Sequence, residues 1–111
     1  MRKIETDMNR AIRAGRNFSS SNTMVKIECN IHGEQSKVFL HGNHIATVTD
    51  KDLTLYSGGG WFTNTTKSRL NALIQEFGFK GSNIFQKNFN WYVRAFNTVT
   101  PFVDGISIPI V

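Results

Sequence analysis

The chain has 111 residues, a mass of 12.6 kDa, 40% hydrophobic residues and a net charge of +5. This length suits one domain, residues 1–111, and the apolar share is that of a chain that builds a core, which excludes wholesale disorder. No apolar run approaches the roughly 18 residues of a bilayer-crossing helix, and the single Cys29 excludes an internal disulfide, so a non-membrane protein of a reducing compartment is expected.

The first element reads as a short amphipathic helix from Thr6 to Ala14. Thr6 suits the N-cap, Ile4, Met8, Ala11 and Ile12 share one stripe, and Gly15 suits the end. Asn17 to Thr23 is polar apart from Phe18 and reads as an exposed connection pinned to the body by that ring. From Met24 the period changes to two, with Val25, Ile27 and Cys29 opposed to Lys26 and Glu28, which marks a half-buried strand. Turns at Gly33, Gly42-Asn43 and Asp50 to Asp52 then separate strands at Val38 to Leu40, His44 to Thr49 and Leu53 to Tyr56. Four short strands joined this way form an antiparallel meander.

Leu70, Leu73, Ile74 and Phe77 fall at i, i+3, i+4 and i+7, with Thr65 or Thr66 as cap and Gly78 past the end, so they define the main helix. Ile84 to Lys87 and Trp91 to Phe96 read as a hairpin over Asn88 to Asn90. The tail from Phe102 to Ile110 reads as a final edge strand broken by Pro109. The expected class is α+β: an antiparallel sheet, made of a four-strand meander plus a C-terminal hairpin, packed by one main helix with a short N-terminal helix.

Charge is uneven along this order. Five cations against Glu5 and Asp7 leave +3 over Met1 to Arg16, and five against Glu76 leave +4 over Thr65 to Arg94. If the fold joins the two segments on one face, that face attracts polyanions. Arg10 and Arg13 would lie on the outer side of the first helix. In the last hairpin, burial of Trp91 and Val93 would leave Tyr92, Arg94 and Phe96 outside as an aromatic and basic patch suited to nucleic acid or a protein partner.

The most distinctive stretch runs from Ser57 to Asn71. Three glycines precede Trp61, and a hydroxyl-rich loop then enters the main helix with Lys67 and Arg69 in its first turns. Free N–H groups at a helix start, threonine hydroxyls and nearby cations make Gly59, Gly60, Trp61, Thr65, Thr66, Lys67 and Arg69 a candidate anion or nucleotide site. The stretch is neither a Walker A loop nor a dinucleotide fingerprint. A competing reading makes the glycines a tight crossing, Trp61 a core residue and the threonines simple caps.

Gly59-Gly60-Trp61, Thr63, Thr65-Thr66-Lys67, Arg69 and Asn71, preceded by His41 and the Ile45 to Val48 strand, resemble a widespread family of small tailed-phage proteins. The resemblance covers about Val38 to Phe77. It implies a viral origin, and with it the host cytoplasm, and a shared local structure rather than an activity. Phe62 departs from the family, where a polar or basic residue is expected.

Cys29-x-x-His32 and His41-x-x-His44 have the spacing of paired zinc ligands, yet Cys29 shares the parity of Val25 and Ile27 and is expected in the core. No metal and no cofactor are therefore expected. The carboxylates are scattered and the serines lack a nucleophile elbow, so the chain reads as a non-enzyme. The sequence thus suggests a binding module for nucleic acid or a phosphorylated nucleotide, with no membrane role. The alternative is an inhibitor that binds a host enzyme or defence factor. A homo-oligomer would favour enclosure of a small nucleotide.

Overall fold

Eleven elements form over residues 1–110, the part that the structure, a computed structural model, describes. They are helix α1 (Lys3–Ala14), strands β1 (Phe18–Ser20), β2 (Thr23–Asn30), β3 (Gly33–Leu40), β4 (Asn43–Val48) and β5 (Asp52–Leu55), helix α2 (Asn64–Phe77), then strands β6 (Asn83–Lys87), β7 (Asn90–Ala95), β8 (Thr98–Pro101) and β9 (Ile106–Pro109). The class is α+β, as the periodicities indicated.

The meander is present as β2 to β5, extended by β1 at one edge and β9 at the other into a six-stranded antiparallel sheet of order β1-β2-β3-β4-β5-β9. One face carries the cross-strand rows Val25, Val38, Ala46, Leu55 and Ser36, Val48, Leu53, Ile108. These positions are buried, and α1 and α2 pack over that side. The opposite face carries the polar row Lys26, Lys37, Thr47, Thr54, Ser107. Alternation has sorted the strands as a two-sided sheet requires.

The C-terminal hairpin does not join this sheet. β6, β7 and β8 form a separate three-stranded sheet whose inner side, Ile84, Trp91 and Val93, closes the core against α2. Asn71 of α2 ties it there, donating from Nδ2 to the Ile84 carbonyl at 2.9 Å and accepting the Ile84 N–H at 2.7 Å. β8 had no signature of its own, because all four of its residues are exposed and nothing alternates. The tail strand β9 does sit at an edge, and Pro109 stands at its end.

Several boundaries differ from expectation. α1 begins at Lys3 rather than near Thr6, because the Glu5 carboxylate accepts the Arg2 N–H at 3.0 Å and secures the first turn from within. Asn17 to Thr23 is no mere connection: Phe18 to Ser20 pairs with β2 in a polar edge strand, and Phe18 packs on the core. The cap of α2 is Thr63, not Thr65 or Thr66; its extended backbone lets Oγ1 accept the Thr66 N–H at 3.1 Å. Gly78 ends α2 as expected, in an extended rather than left-handed conformation. Its lack of a side chain is needed for proximity, since a Cβ there would lie 2.8 Å from the Ile74 carbonyl oxygen.

Candidate functional site

The glycine-rich stretch leaves β5 and turns back toward α2. Gly58, Gly59 and Gly60 all have positive φ, at 77°, 89° and 93°, which explains three consecutive residues without Cβ. Ser57 anchors the turn: its N–H and Oγ donate to the Asp104 carboxylate at 2.7 and 3.2 Å, and its Oγ accepts the Gly60 N–H at 2.8 Å. A Cβ at Gly58 would meet Ile45 Cγ2 at 3.1 Å. Ile45 is itself aimed inward by a bulge, because the β3–β4 register shifts between Val38 and Phe39 and both Ile45 and Ala46 are buried.

This turn and the start of α2 form the walls of a cleft of about 510 Å³, lined by Leu40, His41, Asn43, Ile45, Ser57, Gly58, Trp61, Thr63, Thr65 and Thr66. Trp61 is 62% exposed at its mouth, so it is not the core residue of the competing reading. Phe62 also stays open on one side while packing edge-on to Trp91 at 4.9 Å.

The expected cations are not in this cleft. Arg69 points away from it, only 3% exposed, donating to Glu5 Oε2 at 2.8 Å, Thr23 Oγ1 at 2.9 Å and Asn22 Oδ1 at 3.3 Å. Glu5 also accepts from Ser68 Oγ at 2.6 Å. Burial raises the carboxyl's proton affinity, but the bonds from Ser68, the Arg2 N–H and Arg69 outweigh it and leave the pKa lowered. Arg69 is a structural cation joining α1, α2 and β2, and is removed from the candidate anion site. Lys67 does not line the cleft either.

On α1, Arg10 and Arg13 are exposed on the outer side as expected, each beside a carboxylate. Arg13 is bonded to the Glu76 carboxylate and donates to the Glu76 carbonyl at 3.1 Å, with its guanidinium over the Phe77 ring. Arg10 lies 3.7 Å from Asp7.

The last hairpin has the expected parity. Trp91 and Val93 are buried, while Tyr92 and Arg94 face outward on β7 with Phe85 and Lys87 of β6 and Val99 of β8. The Phe85 and Tyr92 rings stack across the strands at 5.7 Å and 23°, and the Arg94 guanidinium lies 4.8 Å from the Phe85 centroid. From Phe77 to Val103 the chain contains Lys80, Lys87 and Arg94 and no carboxylate. Phe89 and Phe96 each occupy a two-residue turn in which both central residues have positive φ, an uncommon conformation for phenylalanine, and both rings are exposed.

The four zinc candidates do not converge. Cys29 and His32 lie at the β2–β3 turn and His41 and His44 at the β3–β4 turn, at opposite ends of β3, which spans roughly 23 Å at about 3.3 Å per residue. Cys29 is exposed rather than in the core, because the inward face of β2 runs out past Ile27 near the hairpin tip. Among the described residues no group of three or more His, Cys, Asp or Glu side chains is placed to hold a metal ion. His44 instead packs between Phe39 and Tyr56, and its Nε2 lies 2.9 Å from the Ala46 carbonyl and 2.8 Å from Thr47 Oγ1.

Sequence reasoning included Ser57 and Gly58 in the distinctive stretch without giving them a role, and missed Asn43, Ile45 and Asp104, which shape or brace the cleft. Gly58 was the visible signal; Asp104 had none, being 47 residues from its partner. Arg69 and Glu5 could have been found: Thr66, Arg69 and Leu73 share one helical face, as do Glu5, Met8 and Ile12, so each charge sits on an apolar stripe.

No helix among the described residues is long and apolar enough to cross a membrane. No curated protein and no solved structure matches the chain significantly. The family model described as Kyanoviridae Gp96 protein matches residues 1–109, in keeping with the phage origin that the glycine-tryptophan signature implies, and the chain belongs to this phage protein family.

Proposed function

We propose that this phage protein is a binding module for single-stranded nucleic acid that uses the outer face of the β6–β8 sheet. The observation that carries the reading is the pairing of the Phe85–Tyr92 stack with Arg94 and Lys87 on a sheet without a carboxylate. Open sheets of this kind bind single strands by stacking bases on aromatic rings while cations follow the phosphates. Phe85 and Tyr92 would provide the platform, with Lys87 and Arg94 neutralising the backbone. No group of the chain is assigned a catalytic role, and binding requires no metal or cofactor.

Fluorescence anisotropy with a labelled 12-nucleotide single-stranded DNA tests this. The protein should bind with affinity that falls steeply with salt, and Lys87→Glu with Arg94→Glu should weaken binding by at least tenfold. Equal affinity of the double variant would sink the reading. The second reading, an inhibitor of a host protein, is favoured by Phe89 and Phe96, exposed at their hairpin tips. It predicts that Phe89→Ser with Phe96→Ser abolishes a complex that charge reversal leaves intact.

A further inference from the structure

The cleft beside Trp61 was expected to hold an anion, and its lining argues for another ligand class. It contains no lysine, arginine or carboxylate, its floor is Leu40, Ile45 and the Gly58 backbone, and the one arginine of the adjoining helical turn is neutralised by Glu5. A phosphate placed there would lose its water without gaining a cation, whereas an uncharged ring would lose little. Trp61 offers a flat, half-open wall at the mouth, and His41, Asn43 and Thr65 add polar groups at the side. About 510 Å³ lies within the range of small-ligand sites and admits one heteroaromatic ring with its sugar.

The surroundings connect this cleft to the basic sheet. A groove lined by Phe85, Lys87, Tyr92, Arg94 and Val99 meets a second groove at Tyr92, which lines both. Phe62 lines the second groove and is the chain neighbour of Trp61, which lines the cleft. Tyr92 thus belongs to both grooves, and the single chain bond from Phe62 to Trp61 joins the second groove to the cleft, with the cations Lys87 and Arg94 in the first groove and none in the cleft.

We infer that the Trp61 cleft is a base-binding subsite, taking one unstacked nucleobase of a strand whose phosphates lie on the β6–β8 sheet. The inference rests on the nucleic-acid reading and adds the place where base identity is read. Each base presents a different set of donors and acceptors to Asn43, His41 and Thr65, while the sheet platform is indifferent to sequence.

Amide and indole N–H spectra of the intact protein, titrated separately with an equimolar mixture of the four deoxynucleosides, with inorganic phosphate and with a 12-nucleotide single-stranded DNA, test it. The nucleosides should shift Ser57 to Gly59, the Trp61 indole and Thr65, and phosphate should not. Trp61→Ala, an exposed position, should weaken oligonucleotide binding roughly tenfold, the loss expected for one base–aromatic stack. Oligonucleotide shifts confined to Phe85, Tyr92 and Arg94, with Trp61→Ala unchanged, overturn the subsite and leave the sheet reading standing. Phosphate shifts in the cleft without nucleoside shifts overturn it in favour of an anion site. Nucleoside shifts without oligonucleotide binding overturn the nucleic-acid reading and leave a nucleoside site, and no shift from any probe overturns both.

Discussion

Arg69 Nη1 stands 2.8 Å from Glu5 Oε2, with both side chains almost completely enclosed between α1, α2 and the first residues of β2. Enclosed charges are stable only when their remaining hydrogen-bonding capacity is met, and here Thr23, Asn22, Ser68 and the Arg2 N–H meet it. Glu5→Gln should therefore leave an unpaired buried guanidinium and cost about 3 to 5 kcal/mol, read as a lower midpoint in urea. Arg69→Met with Glu5→Met should cost less than either single change. A single change with an unaltered midpoint would show that the pair is not enclosed in solution.

The same carboxylate predicts acid behaviour. Glu5 has its folded pKa lowered, so its stabilisation is present above the ordinary glutamate range of about 4.3 and is lost as pH falls through the lower folded value. Unfolding at constant urea should show this loss in the wild type, and Glu5→Gln should flatten it.

How far these features could be read in advance depends on how local their causes are. The stripe Leu70, Leu73, Ile74, Phe77 and the alternation after Met24 are repeated within a few residues, and α2 and the meander follow from them. The hairpin parity at Trp91 and Val93 was legible for the same reason. The division into two sheets was not, because it depends on Asn71 reaching Ile84 and on β9 adding to β5 across the chain. The candidate site was half legible: the glycines and Trp61 marked the cleft, but charge alone misplaced Arg69, which is buried against Glu5, and did not reveal the carboxylates beside the exposed Arg10 and Arg13.

His44 gives a second pH dependence of the same sign, in a higher window. Burial lowers its pKa, the Ala46 carbonyl raises it, Lys37 lowers it and Glu28 raises it, with a net lowering. Phe39 and Tyr56, packed on either side of the ring, add no charge. The folded state thus prefers the neutral imidazole: its contribution is complete above the ordinary histidine value of about 6.5 and diminishes as pH falls through it. The melting temperature should drop between about pH 7 and pH 5.5, and His44→Gln should remove that part of the drop. An identical pH profile in the variant would refute this role.

Asn71 should behave as a mortise between α2 and the small sheet. Asn71→Ala strips both partners from the Ile84 main chain, and each orphaned buried group costs about 1 to 3 kcal/mol. Hydrogen exchange at the Ile84 amide should accelerate more than at Leu53, which lies in the other sheet. Uniform acceleration would mean that the two sheets open as one unit.

The cations can be separated by what each is bonded to. Arg13 is held by Glu76, so Arg13→Ala should alter stability by at most about 1 kcal/mol, as exposed pairs do, and leave oligonucleotide affinity unchanged. Lys87 and Arg94 face solvent on a sheet without carboxylates, so each should contribute one released counterion. For a single strand, the slope of log affinity against log salt should fall by about 0.7 for either neutralisation and by about twice that for both. Phe85→Ala should lower affinity at every salt concentration while keeping the slope, because stacking releases no counterion. A changed slope for Phe85→Ala would mean that this ring acts by positioning Arg94, whose guanidinium lies over it, rather than by stacking a base.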